Sequence, residues 1–332
     1  MSKILITGGT GLVGSAFQNI PNVILVGSKD YNLRNRDQVI KMFNDHKPEQ
    51  VIHLAGKVGG VLGNMTFAAD YFEDNMDMNV NVLKIARDTG VKKVISLLST
   101  CVYPDGASYP LSEKYLHTGE PHPSNFSYAY AKRMLDIQSR AYRKQDGLNY
   151  ICAIPNNLYG ENDNFEPIYS HVVPALIRKM YEAKIKNNDE IELWGTGDAL
   201  RELTYSSDIA KILMMLLNDY DDVEPINIGN IEEISIKDLA QLIRKEIGFE
   251  GKIVWNTDKP TGQLRKPSDN TKFKTLYSNF EYTSLEVGIK KTCEWFISNF
   301  PENVRGCKDV VRTEKILERK QKNEVKRKSE TE

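Results

Sequence analysis

Short apolar runs alternate with helix-forming stretches through the first half of the chain. Runs rich in Val, Ile and Leu predict β-strands at 3–7, 23–27, 51–56, 93–99 and 149–155. Between them, helical spacing predicts helices at 36–46, at 79–90 ending on Gly90, and at 128–145. A further helix is expected from Ser15 to Ile20, because the first two strands need a crossover between them.

This alternation predicts an α/β fold, a doubly wound parallel sheet of the Rossmann type. In such sheets, ligands bind beyond the carboxyl ends of the strands. The first domain is expected over 1–160, with segments near 204–228 returning to it. After about residue 159 the pattern weakens into helices at 172–184 and 235–248 and short strands within 190–205. We expect a smaller α/β substrate lobe over 161–300 and a flexible charged tail over 303–332.

Composition narrows the class of protein. The 332 residues carry a formal net charge of −1, which gives no basic excess for nucleic acid or a membrane surface. Four cysteines without CxxC spacing argue against a metal site or a disulfide framework and favour a reducing, cytoplasmic location. The stretch "MSKILITGG" is unlike a signal peptide, and the sequence contains no apolar run of about 20 residues, the length that a membrane span requires, so neither targeting nor membrane insertion is expected.

A glycine-rich loop follows the first strand. Gly8, Gly11 and Gly14 are spaced GxxGxxG, with Leu12 and Val13 between the last two glycines. After a strand and before a helix, such a loop lets the backbone approach a dinucleotide pyrophosphate, which is expected at the positive helix N-terminus.

The end of the second strand indicates which dinucleotide binds. In "VGSKDY", Lys29 can pair with a 2′-phosphate, which favours NADP(H). Asp30 could instead accept the ribose 2′-hydroxyl of NAD, so that alternative stays open. Arg34 and Arg36 are either helpers or solvated loop charges. Ala55, after the third strand, is a further predicted cofactor contact.

Three side chains form a candidate acid–base set. "YAYAK" places Tyr128 and Lys132 on one helix face, where an ammonium is expected to lower the pKa of the phenol. Ser99, at the end of a strand, can hydrogen-bond the oxygen that Tyr128 protonates, or it can simply bond backbone. From the residues alone, Cys101 is as well explained as a buried small side chain, and His171 as a structural histidine.

The loop "TGGTGLVG", Ser99 and YxxxK together resemble the extended short-chain dehydrogenase/reductase family. Over residues 3 to about 297, "HLAGKVGG", "STCVYP", "SNFSYAYAKR", "NLYGENDNF", "SHVVPALIRK" and "WGTGDALRE" are similar to its GDP-4-keto-6-deoxy-D-mannose 3,5-epimerase/4-reductases, which form GDP-L-fucose. The resemblance implies that Cys101 and His171 invert C3 and C5, and that NADPH and Tyr128 then reduce C4.

The resemblance also implies a GDP-sugar site and a homodimer. Arg201 is expected on the diphosphate, and further substrate contacts are expected from Asn157, Lys179, Trp194 and Arg265. Lys266 lies in the same "GQLRKPSD" segment as Arg265. Rival functions are a 4-reductase without epimerisation, an enzyme for a related GDP-4-keto sugar such as a heptose, a 4,6-dehydratase or 4-epimerase, and a dinucleotide sensor without turnover.

Overall fold

Strands and helices alternate along residues 2–167, 169–259 and 263–307, which a computed structural model describes. The strands are β1 (Ile4–Thr7), β2 (Val23–Val26), β3 (Gln50–His53), β4 (Lys93–Leu97), β5 (Asn149–Pro155), β6 (Asn157–Tyr159), β7 (Glu190–Trp194), β8 (Leu200–Tyr205), β9 (Ile226–Ile228), β10 (Glu233–Ser235) and β11 (Lys252–Asn256). The helices are α1 (Arg36–His46), α2 (Val61–Thr66), α3 (Ala68–Asp88), α4 (Phe126–Asp146), α5 (Val172–Ile185), α6 (Ser206–Asp219), α7 (Ile236–Ile247), α8 (Thr271–Leu276) and α9 (Leu285–Asn299).

A six-stranded parallel sheet in the order β2-β1-β3-β4-β5-β9 forms the centre of the molecule. Ile4 pairs with Val23 on one side and with Gln50 on the other, so the chain reverses its direction of winding at β1. A crevice opens at such a switch point, at the carboxyl edge of the sheet. The doubly wound fold predicted from the sequence is therefore confirmed.

Both faces of this sheet are covered. On one face, the apolar sides of α1, α3 and α4 pack against the strands, with Val39, Val82 and Leu135 buried. On the other face, α6 and α8 supply a second core that includes Leu213 and Phe273. Burial on two faces explains why the strands read as continuous apolar runs and do not alternate.

A third apolar core surrounds two small sheets, β10-β8-β6 and β11-β7. Helices α5, α7 and α9 pack on these sheets. The helix α7 shows how its sequence fixes its ends. The Ser235 hydroxyl accepts a hydrogen bond from the Asp238 N–H at 3.0 Å, and Gly248 ends the helix in the left-handed region.

Two sequence predictions about local structure are wrong. The helix expected from Ser15 to Ile20 is a single 3-10 turn, Gly14–Phe17. Pro21 restricts the residue before it, and Asn19 and Asn22 have positive φ angles, so a longer helix cannot continue. The helix expected at 79–90 begins eleven residues earlier, at Ala68.

The structure describes the charged tail only as far as residue 307. Within the described part, 303–307 packs on the protein: Val304 is buried, and the Phe165 N–H donates to the Arg305 carbonyl at 3.0 Å. Residues 308–332, where flexibility was predicted, lie outside the described residues. Among the residues described, no helix is both long and apolar enough to cross a membrane.

Candidate active site

The glycine loop after β1 packs tightly against the loop after β3. Gly8 has φ +75°, and a Cβ on it would lie 2.8 Å from the Ala55 nitrogen. A Cβ on Gly14 would collide with the Gly8 carbonyl oxygen. Only glycine fits at these two positions, so the loop backbone lies flat against the carboxyl edge of the sheet.

Backbone amides of this loop are available to an anion. Within the described part of the chain, the N–H groups of Leu12 and Val13 donate to no protein acceptor. The expected helix N-terminus is reduced to one 3-10 turn, which has little dipole to contribute. The residues therefore fit a dinucleotide whose pyrophosphate would be held by loop amides and not by a helix dipole.

The turn after β2 has a defined conformation around Asp30. The Gly27 N–H donates to the Asp30 carboxylate at 2.7 Å, and the Asp30 N–H donates back to the Gly27 carbonyl at 3.1 Å. Lys29 is exposed beside this turn. Because Asp30 is engaged by its own turn, Lys29 is the better placed of the two for a ribose substituent.

Ser99 and Cys101 are brought together by a turn. The strand β4 ends at Leu97, Ser99 is still extended, and Thr100–Val102 forms one turn of 3-10 helix. The Ser99 hydroxyl accepts from the Cys101 N–H at 3.5 Å and caps that turn. The extended backbone therefore ends at Ser99, and the turn places Cys101. Burial raises the pKa of the Cys101 thiol, and the neighbouring Ser99 opposes that rise.

Lys132 is buried against the end of β4. Its Nζ donates to the Leu97 carbonyl at 3.0 Å, and a Cβ on Gly56 would lie 3.2 Å from the same nitrogen. Burial lowers the pKa of Lys132 to about 8. The predicted helix thus places its lysine between the loops after β3 and β4.

Tyr128 lies one turn earlier on α4 and is only 7% exposed. Burial raises the pKa of its phenol well above the ordinary value, and the nearby Cys101 and Tyr71 add to that rise. The expectation that Lys132 lowers the pKa of Tyr128 is therefore wrong here. A buried phenol stays protonated at neutral pH, so the group is suited to donate a proton.

Tyr71 is a neighbour of Tyr128 that sequence reasoning missed. It projects from α3, where a Cβ on Gly59 would overlap its hydroxyl, and burial raises its pKa to about 12. Lys57 lies 5.6 Å above its ring. No motif distinguishes this tyrosine, since only the packing of α3 against the loop after β3 brings it to the site.

His53 has the structural role that its strand position suggested. Its Nδ1 lies 2.7 Å from the Thr7 hydroxyl and its Nε2 lies 3.0 Å from the Asn79 side-chain oxygen. Burial, with Lys132 nearby, lowers its pKa to about 3, so the ring is neutral. This buried chain of hydrogen bonds joins β1, β3 and α3 directly beneath the site.

His171 immediately precedes α5, and its backbone is tied to the edge of the sheet. Two residues earlier, the Tyr169 carbonyl accepts from the Gly60 N–H at 2.9 Å, which joins this segment to the loop after β3. The imidazole keeps contact with solvent while surrounding protein lowers its pKa by desolvation. The lowered pKa favours the neutral imidazole.

Arg201 and Lys266 are two cations that form no salt bridge among the described residues. The Arg201 guanidinium donates only to the Leu200 carbonyl, at 2.7 Å, and burial lowers its pKa. Lys266 interacts electrostatically with both Arg201 and Cys101. Lys266 is therefore close enough to both the predicted diphosphate contact and the thiol to act on their charges.

The other predicted substrate residues are more open and bond locally. The Asn157 amide donates to the Glu202 carbonyl at 3.2 Å, and Lys179 Nζ donates to the Glu192 carbonyl at 2.6 Å. Trp194 is 60% exposed, at the end of β7.

Arg265 is committed to a surface ion pair. Its Nε lies 2.8 and 2.9 Å from the two carboxylate oxygens of Glu233, and its Nη2 lies 2.5 Å from one of them. This pairing occupies the donors of the guanidinium, which weakens the predicted nucleotide contact of Arg265.

Comparison with known proteins agrees with this geometry. Residues 4–229 match the family model described as "NAD dependent epimerase/dehydratase family". The GDP-L-fucose synthase of Dictyostelium discoideum is 40% identical over 307 residues, which are 90% of this chain and 96% of that protein.

Solved structures give the same result. The GDP-L-fucose synthetase of Naegleria fowleri bound to NADP superposes with a TM-score of 0.85 at 41% identity, covering 91% of this chain and 95% of that one. A GDP-mannoheptose C4 reductase from Campylobacter jejuni superposes at 0.80 with 30% identity, covering 89% and 98%. The resemblance stated from the sequence is confirmed, and the chain belongs to the NAD-dependent epimerase/dehydratase family.

Proposed function

We propose that this enzyme converts GDP-4-keto-6-deoxy-D-mannose to GDP-L-fucose, by inverting C3 and C5 and then reducing C4 with NADPH. The observation that carries the proposal is the grouping of Cys101 with Tyr128 and Lys132 at the carboxyl edge of the sheet. A thiol beside a Tyr-Lys pair supplies epimerase chemistry to a reductase site. The similarity to GDP-L-fucose synthases over nine-tenths of the chain supports the same function.

NADP(H) is the cofactor of this site and supplies a hydride. The amides of Leu12 and Val13 hold its pyrophosphate, and the close packing of Gly8 on Ala55 lets the backbone approach it. Lys29 binds the 2′-phosphate, since Asp30 is held by the Gly27 amide. Lys132 binds the nicotinamide ribose from its buried position beside Gly56.

Epimerisation uses the acidity that a 4-keto group gives to the hydrogens on C3 and C5. At each centre, Cys101 and His171 exchange protons with the carbon from opposite faces: one removes a proton and the other returns one. The enolate formed between the two transfers carries its charge on O4. Ser99 and Tyr128 donate hydrogen bonds to that oxygen and stabilise it.

The reduction of C4 follows, and it involves the same oxygen, O4. Reduction of C4 puts negative charge on O4, and Tyr128 would give that oxygen a proton. Burial keeps the phenol protonated, so Tyr128 is ready to donate its proton in this step. One pair of residues, Ser99 and Tyr128, thereby serves both reactions at O4.

The substrate lobe (161–300) holds the GDP moiety, and 1–160 with 204–228 holds the cofactor. Arg201 pairs with the diphosphate, because its guanidinium has no acidic partner in the described part of the chain. Asn157, Lys179, Trp194 and Arg265 supply the weaker contacts around it.

The protein acts as a homodimer through α3 and α4. These helices expose a groove of about 630 Å³ lined by Ala68, Ala69, Phe72, Met76, Phe126, Ser127, Tyr130 and Met134. Phe72 is 41% exposed and Phe126 is 48% exposed, which is unusual for two aromatic side chains on adjacent helices. A second copy of the chain covers this surface. Sedimentation of a monomer at micromolar concentration would contradict it.

A reducing, cytoplasmic location suits these roles. All four cysteines are unpaired, and Cys101 must remain a thiol to exchange protons.

One assay tests the function. The purified chain receives GDP-4-keto-6-deoxy-D-mannose and NADPH, absorbance of the nicotinamide is followed, and the sugar product is identified. We expect stoichiometric oxidation of NADPH and formation of GDP-L-fucose. No NADPH consumption would reject the proposal.

A second candidate is a 4-reductase for a related GDP-4-keto sugar such as a heptose, since a Campylobacter jejuni GDP-mannoheptose C4 reductase is 30% identical, against 40% for the Dictyostelium discoideum GDP-L-fucose synthase. The same assay in deuterated water separates the two. Deuterium at C3 and C5 of the product supports epimerisation, while reduction without exchange supports the second candidate.

A further inference from the structure

The segment around Lys266 is held between two parts of the site. On one side, the Leu200 N–H donates to the Leu264 carbonyl at 2.8 Å. On the other side, the Leu111 N–H donates to the Pro267 carbonyl at 2.8 Å. The first bond joins the segment to the strand that carries Arg201, and the second joins it to the loop that follows Cys101. Lys266 therefore leaves the backbone between these two elements.

The buried carboxylate of Glu202 also holds the segment that contains Lys266 in position. The Ser268 N–H donates to Glu202 Oε1 at 2.9 Å, and the Ser268 hydroxyl donates to Oε2 at 2.5 Å. The Asn156 amide also donates to Glu202, at 3.2 Å. Glu202 is 3% exposed, so these bonds are shielded from water and fix the backbone two residues after Lys266.

The Lys266 ammonium has no fixed partner in the described part of the chain. It makes no hydrogen bond or ion pair there, and the groups that act on its charge are Cys101, Asp105 and Arg201. The Lys132 ammonium, by contrast, donates to the Leu97 carbonyl. Of the two lysines that act on the thiol, Lys266 is thus the one with its donors free.

The charged and titratable groups around Cys101 come from two elements. Helix α4 contributes Tyr128, Lys132 and Arg133, and the 264–268 segment contributes Lys266. Burial alone opposes ionisation of the thiol, and a desolvated ammonium nearby acts in the opposite direction. Cys101 is a thiolate before it accepts a proton and after it donates one, so epimerisation requires its thiolate in either direction.

We propose that Lys266 is a positioning residue that stabilises the thiolate of Cys101. The role of that thiolate rests on the proposed function, but its ionisation can be measured without any substrate.

Alkylation of Cys101 by iodoacetamide tests the proposal. The full chain is labelled between pH 7 and 10.5, and the Cys101 peptide is quantified by mass spectrometry, with Cys307 as a reference in the same sample. In Lys266→Met we expect the midpoint of the Cys101 profile to rise by about one pH unit, so that labelling at pH 8 slows about tenfold. Lys266→Arg keeps the charge and should keep the midpoint.

Lys237→Met is the matched control, because Lys237 is an exposed lysine on α7. Its Cys101 profile should equal that of the unaltered chain. Superimposed profiles for Lys266→Met and the unaltered chain would overturn the proposal, and so would an equal shift in Lys266→Arg and Lys266→Met. Absence of NADPH consumption by the unaltered chain would instead reject the proposed function and leave this titration interpretable.

Discussion

The site residues fall into two groups that differ in burial. The sheet-edge residues (Ser99, Cys101, Tyr128 and Lys132) lie at the carboxyl ends of buried strands, where Lys132 is 2% exposed and Tyr128 is 7% exposed. The outer residues (Lys179, Trp194, Arg201 and Arg265) lie on the second lobe, where Trp194 is 60% exposed. Burial shifts the pKa values of these groups, upward for Cys101 and Tyr128 and downward for Lys132. Binding a nucleotide requires accessible surface, and the outer residues keep it.

The same difference appears in what each charge contacts. Burial lowers the pKa of Lys132 to about 8 and raises that of Tyr128. Arg265, at the surface, is 57% exposed and forms an ion pair with Glu233. A surface pair of this kind contributes about 0–1 kcal/mol to stability. The two groups therefore predict different consequences of substitution.

Replacing Tyr128 with Phe should have the largest effect. The ring keeps its packing, but the proton donor to O4 is lost, so we expect kcat to fall about 10²- to 10⁴-fold with unchanged unfolding temperature. Steady-state NADPH oxidation measures it. Tyr130→Phe is the matched control, since Tyr130 lies two residues on and lines the groove between α3 and α4. Equal losses in both variants would contradict the assignment of Tyr128.

The free energy of unfolding should depend on pH through His53, which is buried beneath the sheet-edge residues. The pKa of His53 is about 3 in the folded chain, against 6.5 for the free group. Since the unfolded chain takes up this proton first, stability is complete above about pH 6.5 and falls as the pH decreases towards 3. We expect the unaltered chain to lose about 2 kcal/mol of unfolding free energy by pH 5 from this group.

A His53→Gln variant isolates that contribution, because glutamine does not titrate. It should be less stable at pH 7.5, yet its stability should decrease less steeply between pH 6.5 and 5. Urea unfolding at each pH gives both slopes. Parallel slopes would show that His53 does not account for the acid sensitivity.

Within the outer residues, two arginines should differ. Arg201→Met removes a cation without an acidic partner, and we expect KM for the GDP-sugar to rise about tenfold with little change in kcat. Arg265→Met serves as its control, because its guanidinium is already paired with Glu233, and KM should change less than about twofold. Reversed magnitudes would move the diphosphate contact from Arg201 to Arg265.

Much of the fold could be predicted from local patterns. The helix that contains Lys132 and the strand at 149–155 were predicted correctly, because apolar spacing and β-branched runs indicate which faces are buried. The crossover after Gly14 was not, since Pro21 and two asparagines with positive φ outweigh an apolar stretch of six residues. Short segments are decided by such local restrictions, which periodicity does not register.

Partners of individual side chains could not be predicted either. The Arg265–Glu233 pair joins residues 32 positions apart, and Tyr71 reaches Tyr128 only through the packing of α3. In the sequence, Lys266 does not differ from other loop lysines. Its backbone segment is fixed by hydrogen bonds to Leu200 and Leu111, which only the tertiary structure shows. Contacts between residues distant in sequence leave no periodic signal.

The sequence by itself determined the sheet, the glycine loop and the identity of the acid–base side chains, because these depend on residue type and local spacing. Only the tertiary structure decided how they act. The turn after Ser99 places Cys101, burial and not Lys132 sets the pKa of Tyr128, and the 264–268 segment brings a free ammonium towards the thiol. Desolvation and charge depend on everything packed around a group, and that surrounding is assembled from the whole chain.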